Sequence, residues 1–140
     1  MNLSFNIAIH VLTFLTKHSN ERFSSDALAE KVCVNAVQLR NVARILKQHD
    51  YLDVHRGQAG GYQATKKTAS ANLGDLYLLF TEGRDKGRIF TGDHDSSCEV
   101  SSQISTTMAK HFQQEAIRVQ AYYENFTIKD ILEDILKEDK

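Results

Sequence analysis

Along most of the chain apolar residues recur three and four positions apart, the spacing of one helix face, while one stretch alternates as a strand does. From about Leu3 to Lys17, Phe5, Ile7, Ala8, Ile9, Val11, Leu12, Phe14 and Leu15 leave almost no polar face, so this helix should be buried on more than one side. A few short neighbours cannot surround it, and the C-terminal half or a partner subunit is expected to cover the rest. Ser19 to Arg22 reads as a loop. A second helix starts at Ser24 or Ser25, carries Asp26 in its first turn, where the helix dipole favours negative charge, and buries Ala27, Leu28 and Val32. Only the turn Lys31-Val32-Cys33-Val34 separates it from a third helix, from Ala36 to about His49. Asn35 is the expected N-cap of that helix, Gln38 completes a capping box, and Leu39, Val42, Ala43 and Leu46 form the core face.

The period then changes to two. Leu52 and Val54 alternate with Asp53 and His55, and Tyr62 and Ala64 with Gln63 and Thr65, on either side of Gly57-Gln58-Ala59-Gly60-Gly61. That pattern is a hairpin with a glycine-rich tip, whose backbone can take positive φ and approach a partner closely. Thr65 to Ala71 reads as a polar linker. A short helix follows, with Asn72 as cap, Asp75 three residues later, and Leu73, Leu76, Leu79 and Phe80 apolar; Thr127 and Asp130 repeat the device before a last leucine-rich helix. Gly83 to Ser97 has no helical period and reads as a loop. From Glu99 to about Tyr123, Val100, Ile104, Met108, Phe112, Ala116, Val119 and Tyr123 form one stripe on a helix ~37 Å long, more than a small monomer covers. Burial against its twin in a homodimer, through Ile104, Met108, Phe112 and Val119, is the expectation; a core helix of a monomer is the alternative.

The predicted fold is therefore mainly α with a small β-wing: a winged helix-turn-helix over residues 1–70, and a linker, a loop and a long dimerisation helix over 71–140, the two forming one intertwined unit. No apolar run reaches the ~20 residues that span a bilayer, and the N-terminus lacks the features of a signal peptide. Two cysteines make no disulfide framework, so a cytoplasmic location is expected. The net charge of −1 hides an asymmetry. Residues 1–70 hold nine Lys and Arg against five Asp and Glu, and residues 71–140 hold eight against thirteen, so +4 faces −5. A basic half suits a polyanionic partner, because only the contacting face need be positive.

The chemistry lies on the third helix. Val37, Arg40, Asn41, Arg44, Lys47 and Gln48 stand three and four apart opposite the core face, with three cations, two amides and no carboxylate. Arg and amide groups reach base edges, and later Lys and Arg side chains reach phosphates; a solvated helix face is the bland alternative. Arg56, beside Gly57 and Gln58, stands at the base of the wing tip, placed for a minor groove. Cys98 precedes the long helix after the loop and is a candidate redox sensor, although Glu99 beside it discourages the thiolate. Cys33, between two valines, reads as a small buried hydrophobe. His94, Cys98 and His111 match no closed zinc pattern, so no metal site is assigned. No nucleophile stands beside a base at motif spacing, and the chain does not read as an enzyme.

Val34-Asn35-Ala36-Val37-Gln38-Leu39, Ile45-Leu46-Lys47, Arg56-Gly57-Gln58-Ala59-Gly60-Gly61-Tyr62, Asn72-Leu73-Gly74-Asp75-Leu76 and Thr127-Ile128-x-Asp130-Ile131-Leu132 together resemble the Rrf-two-type bacterial regulators over most of the chain. The resemblance implies a dimeric transcription factor on double-stranded DNA, with the helix from Ala36 in the major groove, the wing at Arg56 in the minor groove, and the long helix crossing its symmetry mate. Many members hold an iron–sulfur cluster with three cysteines; here only Cys98 matches, Ser96 and Ser97 supply no thiolate, and no cofactor is expected. Ala36 replaces a usual proline, and Arg40 stands where an acidic residue is common. The resulting expectation is a sequence-specific repressor on a near-palindromic operator, reading bases with Val37, Gln38, Arg40 and Asn41. Ser24 or Ser25, Arg44 and Lys47 would meet phosphates, and Arg56 with the wing backbone at Gly57 and Gln58 the minor groove. The alternative of another class is a winged-helix protein-interaction module that dimerises without reading DNA.

Overall fold

A computed structural model describes residues 2–81 and 90–138. Its elements are α1 (Leu3–Lys17), α2 (Ser25–Val32), α3 (Ala36–Gln48), β1 (Leu52–His55), β2 (Gly61–Ala64), α4 (Leu73–Thr81), α5 (Glu99–Tyr123) and α6 (Ile128–Glu138). This is a mainly helical chain with a two-stranded antiparallel wing and a long C-terminal helix, the winged helix-turn-helix fold expected from the periodicities. Of the loop expected over Gly83 to Ser97, residues 83–89 lie outside the described residues.

Helix α1 is the centre of the core. Phe5, Ile7, Ala8, Val11, Leu12 and Leu15 are buried, and the cover comes from the chain's own C-terminal half, since α4 and α6 pack on α1 along with α2 and α3. Phe80 and Ile128 belong to the same buried cluster as Leu12, Leu28 and Leu46, so one core runs from the first helix to the last. The two repeated caps meet in space. Asn72 Oδ1 accepts from the Gly74 and Asp75 N–H groups, Thr127 and Asp130 bond reciprocally as a full capping box, and Asn72 and Thr127 form an antiparallel bridge.

Helices α2 and α3 end alike, and neither is stopped by a proline. Val34 N–H reaches Ala29 O and Cys33 N–H reaches Glu30 O; Tyr51 N–H reaches Leu46 O and Asp50 N–H reaches Lys47 O. Both are Schellman motifs, whose left-handed position is usually glycine but is here Cys33 (φ 58) and Asp50 (φ 62). Cys33 is thereby turned outward and exposed, correcting the expectation of a buried hydrophobe. With no packing to lose, Cys33→Gly is expected to raise stability by about 0.5–1 kcal/mol, read as a higher urea midpoint at unchanged slope.

Three further expectations change. Ala29 is buried where Ala27 was expected, and Ala27 is half-buried. The Thr65–Ala71 segment is a packed turn and not a loose linker: Thr68 is fully buried, its hydroxyl donating to Tyr51 O at 2.6 Å and accepting from Thr65 N–H at 2.8 Å. The loop before α2 also joins the wing, since Phe23 and Tyr62 exchange both backbone hydrogen bonds, at 3.0 and 2.7 Å. Gly61 makes that approach achievable; it has φ +137, and a Cβ there would sit 2.5 Å from Phe23 O.

Candidate nucleic-acid interface

Helix α3 is fixed at its start by Asn35, whose Oδ1 accepts from Val37 N–H at 2.8 Å and Gln38 N–H at 3.3 Å. The reciprocal half of the expected capping box is absent, so the Gln38 side chain stays exposed and free of the cap. Leu39, Val42, Ala43 and Leu46 are buried, which leaves Arg40, Asn41, Arg44, Lys47 and Gln48 outward with Val37, an apolar side chain 56% exposed. An outward valine costs water contact and suits a partner with an apolar spot, such as a thymine methyl. Ser24 caps α2 by accepting from Ala27 N–H at 3.2 Å, which keeps its hydroxyl proton for another acceptor, and Ser25 is half-buried beside it.

The wing stands beside α3. Leu52 pairs with Ala64, Asp53 with Gln63, Val54 with Tyr62 and His55 with Gly61, so Leu52 and Val54 share one face of the ribbon, Leu52 buried in the core and Val54, nearer the tip, exposed toward the cleft. The tip is a turn closed by Gly60 N–H on Gly57 O at 3.0 Å, with Gly57 at φ +100 and Gln58 exposed. Between helix and wing lies a cleft of about 360 Å³, lined by Arg40, Arg44, Lys47, Arg56, Val54 and Tyr62 among others. Two consecutive elements thus bring four cations to one concavity.

Side chains that the periodicities did not single out shape this surface. Asp53 holds Lys47 Nζ at 3.2 Å and lies 3.6 Å from His55 Nε2. Its carboxyl is held below the ordinary range, first by the hydrogen bond from Lys47 and then by the Val54 N–H. Burial pushes the Tyr62 hydroxyl up, with the nearby Arg40 charge opposing it. Arg22, in the segment read as a plain loop, donates to Gln63 Oε1 at 3.1 Å and to Ala59 O at 3.4 Å, tying the wing tip to the approach of α2. No local pattern marks Arg22 or Asp53, because both act across pairs that only the fold creates.

The other sites lie apart from this surface. Cys98 is exposed at the N-cap of α5, where its side chain makes no cap bond. Along α5, Ile104, Met108, Phe112 and Val119 are half-buried, and no residue of that helix is fully buried in the chain. The Phe90 ring lies 5.8 Å from Phe112. No helix among the described residues is long and apolar enough to cross a membrane.

A family model described as "Rrf2: Iron-dependent Transcriptional regulator" matches residues 1–134. The chain is 24% identical over 136 residues to the HTH-type transcriptional regulator YwnA of Bacillus subtilis strain 168, covering 97% of this chain and 96% of that one. It is similar to the crystal structure of a transcriptional regulator from Lactobacillus plantarum, with 33% identity, a TM-score of 0.84, and 96% and 91% of the two chains covered. IscR of T. potens shares the fold at 14% identity and a TM-score of 0.66, over 96% and 87%. The donor set does not fit the iron of that family description. The chain has two cysteines, one in the turn before α3 and one at the start of α5, and no three His, Cys, Asp or Glu residues gather as a metal site among the described residues. A cluster needs four soft ligands in one place.

Proposed function

The chain belongs to the Rrf2 family of transcriptional regulators, which bind DNA and are not enzymes, and on that premise we propose that it is a cytoplasmic repressor that binds a near-palindromic operator as a homodimer. One observation carries the DNA side of the reading: a capped helix presents an outward face of cations and amides beside a wing that adds Arg56 to the same cleft. Phosphates favour such a surface through released counterions, and amides and arginines select among bases. Ser24, Ser25 and Lys47 would serve the backbone at the edges of α3, and Arg56 with the Gly57-Gln58 tip would enter the flanking minor groove. Val37, Gln38 and Asn41 would face bases near the start of α3.

The homodimer is supported by α5, which offers an apolar stripe over 25 residues and buries none of it completely. Selection from a randomised duplex pool followed by footprinting tests the whole reading. The expected result is two protected half-sites about one helical turn apart, ~34 Å or somewhat more, with affinity falling steeply as salt rises. Equal, salt-erased binding to every duplex would instead favour the module that binds another protein.

An oxidant signal would act at Cys98. Since Cys33 is also exposed, the two thiols are separated by substitution: oxidant-induced loss of operator binding should persist in Cys33→Ser and vanish in Cys98→Ser. The opposite pattern would move the signal to the turn between α2 and α3.

A further inference from the structure

We infer that Arg44 of α3 reads a base edge, while Arg40 holds the sugar-phosphate strand that separates the major from the minor groove. The inference rests on the DNA-binding reading above and deepens it. It follows from the flank of α3 that each side chain leaves. A helix advances about 100° per residue, so Val37, Asn41, Arg44 and Gln48 form one ridge opposite the buried Leu39, Val42, Ala43 and Leu46. Arg40 and Lys47, two turns apart, leave from the flank between that ridge and the core, on the side of the wing.

The ion pairs agree with this division. Lys47 is bound to Asp53 of β1 at 3.2 Å, and Arg40 Nη1 lies 4.0 Å from Asp26 Oδ1 at the start of α2, the helix whose approach is bridged to β2 through Phe23. Arg44 has no carboxylate within 4.0 Å among the described residues. If α3 occupies the major groove and the wing the adjoining minor groove, one backbone strand must pass between them, because adjacent grooves share that strand as their wall. The space between helix and wing is the cleft of about 360 Å³, lined by Arg40, Lys47, Arg56 and Tyr62 together with Arg44 and Gln48, which also belong to the ridge. Arg40 and Lys47 then meet phosphate oxygens in exchange for the carboxylates beside them in the free protein. The ridge faces the groove floor, where the fork of Arg44 matches the O6 and N7 acceptors of guanine.

The test compares Arg40→Ala, Arg40→Lys and Arg44→Ala on the duplex that the wild type enriches from a random pool and on every single-base variant of it, across a range of salt. Arg44→Ala should abolish discrimination at one G·C pair, a change of about tenfold or more. Arg40→Ala should weaken every duplex by the same factor and reduce the slope of log affinity against log salt by about 0.9, with Arg40→Lys restoring the slope. Lysine can replace arginine at a phosphate, as a point charge, but not in a bidentate fork. Relaxed discrimination at a base pair in Arg40→Ala, or none in Arg44→Ala, overturns the assignment and leaves the DNA-binding reading intact. A wild type that enriches no duplex overturns both.

Discussion

Phe80→Ala is expected to lower the free energy of unfolding by about 3–5 kcal/mol, a large share of the ~5–15 kcal/mol that holds a domain together. The ring is fully buried near the end of α4, in the cluster that also contains Phe5, Leu12, Leu76 and Ile128. Its backbone carbonyl accepts from Asn2 Nδ2 at 3.1 Å, and Asn2 is the N-cap of α1, so the end of one helix is joined to the beginning of another. Removing the ring leaves a cavity where α1 is covered by the C-terminal half, and the winged part should lose stability with it. Urea unfolding followed by far-ultraviolet circular dichroism is expected to stay a single transition with a much lower midpoint. Leu78→Ala on the exposed side of the same helix should stay within about 1 kcal/mol of the wild type. An early transition confined to α4–α6, sensitive to Phe80 while the rest melts unchanged, would show two cores in place of one.

The helices were legible in the sequence because each carries its own periodic signal and its own stop. Asn35, Asn72 and Thr127 were readable as caps for the same local reason, since their partners lie two or three residues away. Cys33 was misread because a position flanked by two valines looks buried, whereas the left-handed turn that ends α2 directs its side chain outward. Segment 65–71 was misread because its composition is polar, while Thr68 is buried by satisfying its hydroxyl on Tyr51 O. At the interface, the cations of α3 were visible as a stripe. Their division between ridge and wing-side flank was not, because it depends on where the wing stands, and that is set by the Phe23–Tyr62 bridge and the Arg22 bonds across some forty residues of sequence. Charge partners such as Asp26 and Asp53 were invisible for the same reason.

Met108→Asp, near the middle of α5, is expected to have the largest effect of all on assembly. The nine-residue α4 buries four residues in the chain, whereas the 25-residue α5 buries none, and Val100 and Ile117 are 70% and 52% exposed. Ile104 and Phe112 are partly covered by the chain's own segment, through Gly92 and Phe90, so replacing them would disturb the monomer as well. Met108 lies between them, outside the buried core. In a two-fold interface every residue occurs twice, and a residue near the helix centre lies where the two copies cross. Burying an unpaired carboxylate costs about 3–5 kcal/mol, so two of them should weaken the proposed dimer by on the order of 10⁴-fold or more. Sedimentation equilibrium at micromolar concentration should then find a monomer with unchanged helix content. Operator affinity should fall with it, because a monomer keeps one half-site and loses the ~10²–10⁴-fold gain of two linked sites. A variant that stays dimeric would place the self-contact away from the α5 stripe. One that becomes monomeric yet binds the operator as tightly as before would show that reading DNA does not require the pair.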